Sequence, residues 1–203
     1  MTEPQFQILV WLSYRIAATF AFGLPLFLLI WAKSSNSSSI DRLLSIYWKV
    51  SSLYAINLLF LSVESQLGQL ISIIAPILMV TSIWFWFDLN EEIDEMHNYK
   101  PIALTTRIWR WSLSFWCVLN SGLHLFSWRC LNSINESYCD TWREIPFNSF
   151  MTTKTIIKFV LDGNWSKGFA TFFAYLALIL YLIGLLQWLL IQLPKNGRFA
   201  GKF

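Results

Sequence analysis

The stretch "LGQLISIIAPILMVTSIWFWFDLNEEIDE", Leu67–Glu95, decides the fold. From Leu67 to Phe87 it carries no charged residue, and at roughly 20 residues such a run is long enough for one helix to cross a hydrocarbon core about 30 Å thick. Its character then reverses. Asp88, Glu91, Glu92, Asp94 and Glu95 place five carboxylates within eight residues, out of 12 acidic residues in the whole chain. The apolar part shows no period-2 alternation, and a backbone immersed in lipid must satisfy its own polar groups, so the spanning form is a helix.

The rest of the chain follows the same rule. Of its 203 residues 56% are hydrophobic and only 13% charged, against about a quarter charged in soluble domains. Apolar runs recur at Tyr14–Ala32, Leu43–Val63, Leu67–Phe87, Ile108–Trp128 and Phe169–Leu193. The expected fold is therefore an all-α bundle of about five transmembrane helices, a single membrane domain over residues 1–203. The first run follows a polar, acidic start (Thr2, Glu3, Pro4) without a positive n-region or small-residue cleavage site, so it reads as a retained helix. Pro25 and Pro76 should kink the first and third helices. "SSNSSS", residues 34–39, reads as a flexible loop. Glu64, Ser65 and Gln66 leave room for only a tight antiparallel hairpin.

Two clues orient the bundle. Five spans put the termini on opposite faces, and the face shared by the C-terminal tail, the Lys33–Arg42 loop and the Asp88–Arg107 loop holds most of the basic residues that lie in short loops. By the positive-inside rule that face is expected to be cytoplasmic. Cys130 and Cys139 lie in the loop on the other face, where an oxidising compartment would let them close a disulfide. N-terminus outside, C-terminus inside is thus the expected topology. Cys117, within a span, reads as a small buried side chain.

The acidic stretch is therefore expected at the cytoplasmic surface. If the third helix continues past the membrane, Asp88, Glu91, Glu92 and Glu95 stand at i, i+3, i+4 and i+7 on one face, with Trp84 and Trp86 at headgroup level. Asp94 and His97 share an i, i+3 spacing. One reading pairs these carboxylates internally with Arg107 and Arg110, at the start of the fourth span, and with Arg42 and Lys49 of the second. Lys49 suits this because a lysine inside a span must snorkel or find an anion. A second reading makes Asp88, Glu91, Glu92, Asp94 and Glu95 a docking surface for a basic partner. A third is a divalent-metal or diphosphate site; the DxxExxD spacing of Asp88, Glu91 and Asp94 is only superficially like that of intramembrane prenyltransferases, and the signature of CDP-alcohol phosphotransferases is missing.

Other chemistry is sparse. His124 shares a helix face with Cys117, Asn120 and Ser121. It is a possible chlorophyll or haem ligand, but a lone membrane histidine cannot form a two-histidine clamp, so an interhelical hydrogen bond is the expected role and no cofactor is expected. Asn57, Gln66 and Gln69 read as packing contacts of the same kind. Neither a catalytic triad, a glycine-rich phosphate loop nor a metal quartet is visible. Glycosylation sequons at Asn36, Asn135 and Asn164 matter only in a eukaryotic secretory setting. In the long loop, Thr153 can cap a short helix carrying Lys154, Lys158 and Asp162 and stopped by Gly163, expected to lie at the membrane interface or under the cystine loop.

"LVWLSYRIAATF" and "LPLFLLIWA" in the N-terminal part, "IYWKVSSL" from Ile46, "SIWFWFDLNEEID" from Ser82, "WRW" at Trp109–Trp111 and "LPKNGR" in the tail resemble a family of small uncharacterised cyanobacterial integral membrane proteins. The resemblance spans most of the chain, and Trp86–Asp94 is its most specific element. It implies a photosynthetic bacterium and a membrane location, and it implies no reaction. The expected function is an accessory or assembly protein, not an enzyme, within a larger membrane complex such as a photosystem or its assembly intermediate, in the thylakoid or bacterial plasma membrane. Alternatives are a small-solute transporter and a metal-dependent lipid or isoprenoid enzyme.

Overall fold

The structure is a computed structural model that describes residues 3–63, 65–96, 100–127 and 166–196, together with positions 148, 151, 154, 155 and 158. The described chain is helical, and no strand occurs among the described residues. The elements are α1 (Glu3–Ile16), a π-helical segment (Ala17–Gly23), α2 (Leu24–Ser34), α3 (Ser38–Ser62), α4 (Gln66–Trp84), α5 (Phe87–Glu95), α6 (Pro101–Ser127) and α7 (Lys167–Asn196). Among the described residues four stretches are both long and apolar enough to cross a membrane: Val10–Ser34, Ser38–Ser62, Gln66–Trp84 and Lys167–Ile191. α6 has the length, 27 residues, but carries Arg107 and Arg110. Cys130, Cys139, His97 and most of Thr153–Gly163 lie outside the described residues.

The first span is one rod of two helical kinds. Pro25 has no N–H, so neither Phe20 O in a π register nor Ala21 O in an α register can be paired by it. Side chains from other helices replace it: Trp109 Nε1 donates to Phe20 O at 2.9 Å and Tyr47 Oη to Ala21 O at 2.7 Å. The two rings meet edge to face, 5.1 Å between centroids. Proline in the first span therefore produces a π segment tied to α3 and α6. α4 remains a single helix through Pro76.

The serine-rich linker is a defined turn. Ser37 N donates to Ala32 O at 3.0 Å and Asn36 N to Lys33 O at 3.4 Å, while Asn36 takes φ 51°. This is the Schellman closure of a helix C-terminus, and Asn tolerates the left-handed position it needs. α3 begins immediately afterwards at Ser38.

α3 is the hub. It packs most extensively on α4 and also on α2, α5 and α7, whereas α6 closes the bundle against α4, α2 and the π segment. The α3–α4 hairpin is held by Ser65 N to Phe60 O at 3.0 Å. A Cβ on Gly68 would come within 3.0 Å of Leu61 N, so the close approach of the two backbones requires glycine. Deeper in the hairpin Asn57 Nδ2 donates to Ser72 Oγ at 2.9 Å, and Ser72 Oγ to Gly68 O at 2.7 Å. α7 is peripheral, with 11% of its apolar window buried.

α4 does not run on into the acidic stretch. It ends at Trp84, Trp86 is extended (φ −85°, ψ 106°), and α5 starts afresh at Phe87. The break lets Leu89 and Ile93 fold back into the core beside α3, where both are fully buried. Asn90 stabilises the corner, its Nδ2 donating to Trp84 O at 3.0 Å and its backbone N to Trp86 O at 3.2 Å.

Candidate functional site

α5 is amphipathic: Leu89 and Ile93, four residues apart, anchor it, and Glu91 between them is exposed on the other side. Asp88, Glu91, Glu92 and Glu95 all belong to the new helix, so their i, i+3, i+4, i+7 relation survives the break, but their environments differ. Asp88 is half-buried, while Glu91, Glu92, Asp94 and Glu95 are exposed.

Glu92 is engaged internally. Ser39 Oγ donates to its Oε2, and Arg42 Nη2 reaches the same oxygen at 2.7 Å. The Ser39 hydrogen bond first, and the Arg42 charge after it, hold the Glu92 carboxyl below its ordinary range against the opposing effect of partial burial. Asp94 Oδ1 lies 3.9 Å from Arg107 Nε, a loose pair. Arg107 acts chiefly on backbone: its Nη2 donates to Ile93 O at 2.8 Å, Asp94 O at 2.7 Å and Met96 O at 3.0 Å. A guanidinium thus caps the C-terminus of α5, the end where a cation is favoured. Glu91 and Glu95 have no ion pair among the described residues. Phe87 stands one turn before Glu91, 58% exposed.

Arg110 takes another course. Only 2% exposed, it donates from Nη2 to Asn90 Oδ1 at 2.6 Å and places its guanidinium carbon 4.2 Å from the Trp84 ring centroid, a cation–π contact strengthened by desolvation. Trp84 is itself fixed by Nε1 donating to Ser114 Oγ at 2.8 Å. Lys49 is exposed on α3 along the groove between α3 and α7. Sequence reasoning missed Ser39, Asn90 and Phe87 as members of this region. Ser39 and Arg42 share an i, i+3 spacing that could have flagged the first; Asn90 is hidden among more conspicuous acids.

His124 is buried on α6 together with Cys117 and Asn120, with Ser121 half-buried beside them. Asn120 Oδ1 accepts from Ser13 Oγ at 2.8 Å, linking α6 to α1. Among the described residues no three His, Cys, Asp or Glu side chains are grouped so as to hold a metal ion.

Comparison with known proteins identifies the chain by family. The profile of the family described as "Protein of unknown function (DUF3177)" matches residues 7–201, and the chain belongs to that family. No curated protein and no solved structure matches it.

Proposed function

We propose that this member of the DUF3177 family is a non-enzymatic accessory or assembly protein that docks, through the outer face of α5, onto a basic patch of a larger membrane complex. The observation that carries the reading is the division of labour on α5. Glu92 and Arg107 hold the helix down, whereas Glu91, Glu95 and Phe87 are turned outward, an apolar anchor flanked by charge, as at protein interfaces. Carboxylates that served stability alone would gain little from standing exposed, because exposed ion pairs are worth only about 0–1 kcal/mol.

In this proposal α6 is a fifth span, the N-terminus is outside and α5 and the C-terminus are cytoplasmic, the membrane being the thylakoid or plasma membrane of a photosynthetic bacterium. The inward engagement of Arg107 and Arg110 supports a spanning α6, since hydropathy sums price every arginine as if it met lipid. The thylakoid placement rests on the sequence resemblance.

The test is co-purification from mild detergent across a range of ionic strength. Glu91→Gln with Glu95→Gln is expected to accumulate normally and lose most of its partner at low salt, where screening is least. Glu92→Gln serves as the comparison that perturbs α5 anchoring. Undiminished co-purification of the Glu91, Glu95 variant at low salt would overturn the docking role.

A further inference from the structure

Between α3 and α7 the bundle is hollow. A cavity of about 380 Å³ is bordered by Ile46, Lys49, Val50, Tyr181, Gly184 and Trp188. A second, of about 230 Å³, continues on the α4 side of α7 past Leu78 and Phe85, sharing Tyr181, Leu185 and Trp188 with the first. These three residues follow at i, i+4 and i+7, so one inward stripe of α7 borders both cavities. α7 is seated at both ends, by Tyr175 against Phe60 (5.2 Å between ring centroids) and by Trp188 against Trp86 (5.7 Å). The first cavity is of small-molecule size, about 300–1,000 Å³ being usual.

Four polar side chains border it, Lys49, Ser52, Tyr181 and Trp188, and the Ser52 hydroxyl donates to Lys49 O at 2.8 Å. Tyr181 Oη and Trp188 Nε1 are buried and make no hydrogen bond among the described residues, and Lys49 stands exposed at the rim. Tryptophan N–H and the lysine ammonium can only donate, and a tyrosine hydroxyl can donate too. A buried donor left unmade carries the full desolvation penalty. What completes such a lining is an acceptor-rich head, and the lysine charge selects an anionic one.

We propose that the α3–α7 groove is a specific site for an acidic membrane lipid, its anionic headgroup held by Lys49, Tyr181 and Trp188 and an acyl chain lying along Ile46, Val50 and Leu185. Lys49 is what distinguishes the site from ordinary lipid contact. Its ammonium snorkels toward the headgroup level while its methylene stem lines the groove. The site stands on the membrane reading of α3 and α7 and is independent of docking through α5.

Gly184 supplies a clean test. A Cβ there would meet nothing within 4 Å, so Gly184→Leu can fill the groove without disturbing protein contacts. The full chain is placed in nanodiscs of phosphatidylcholine with a minor fraction of phosphatidylglycerol, released, and its retained lipids are counted by native mass spectrometry. The native chain is expected to retain phosphatidylglycerol in preference to phosphatidylcholine. Lys49→Gln should lower that preference about tenfold, the effect of losing one charge-assisted hydrogen bond. Gly184→Leu should abolish retention, and Lys33→Gln, remote on α2, should change nothing. Equal retention of both lipids by the native chain, or undiminished phosphatidylglycerol retention in both Lys49→Gln and Gly184→Leu, would overturn the site.

Discussion

Pro25 withholds an N–H from the first span, and Tyr47 and Trp109 make good the loss from two other helices. A carbonyl freed by proline inside a bundle has no water to turn to, so its alternative to a side-chain donor is an unmade bond. This couples three positions that hydropathy would treat as independent. Tyr47→Phe keeps the ring and its contact with Trp109 but orphans Ala21 O, and should cost about 1 kcal/mol of stability in detergent unfolding. In a Pro25→Ala background the backbone can pair that carbonyl itself, and the same substitution should then be close to neutral. An equal cost in both backgrounds would show that the Tyr47 hydroxyl does not stand in for the missing N–H.

At the scale of the element, α5 is a nine-residue helix, too short to persist alone in water. It exists because Leu89 and Ile93 are buried, Arg107 caps its end and Glu92 ties it to α3. The Glu92 tie is pH-dependent with a definite sign. Its folded pKa is lowered, so its contribution is fully present above the unfolded value of about 4.3 and is lost as pH falls through the lowered folded value. Since the Glu92 side chain is 44% exposed, solvent screening keeps the effect small. Unfolding midpoints measured from pH 7 down to 3 should decline more steeply in the native chain than in Glu92→Gln over the acid end of that range. Parallel profiles would mean that the Ser39 and Arg42 contacts do not favour the charged form.

For the whole molecule the open parameter is parity. Four spans bring the termini to one side of the membrane and five bring them to opposite sides; α6 decides. Its two arginines are accommodated within the bundle end, one as a helix cap and one beneath Trp84, so neither need face hydrocarbon. Reporters fused at the two termini should therefore respond from opposite faces, the C-terminal one from the cytoplasm. Cys130 and Cys139, which follow α6 in the sequence, should resist thiol labelling of intact spheroplasts until reductant is added. Both termini reporting from the same side would reduce the bundle to four spans and remove the cytoplasmic placement of α5.

The helical class, four of the five apolar runs, the α3–α4 hairpin and the carboxylate cluster were legible along the chain. They depend on local quantities: transfer free energy summed over about 20 residues, a 3.6-residue period, and the length of a connection. Asp88, Glu91, Glu92 and Glu95 could be assigned to one helical face without knowing where that helix lay. The tertiary structure alone decided that the helix breaks at Phe85–Trp86, that Glu92 turns to Ser39 and Arg42 while Glu91 and Glu95 face outward, and that Arg110 meets an asparagine and an indole instead of a carboxylate. Each of these outcomes depends on which helices become neighbours. A charge selects its partner by distance and burial, and neither is encoded in the spacing of residues along one helix.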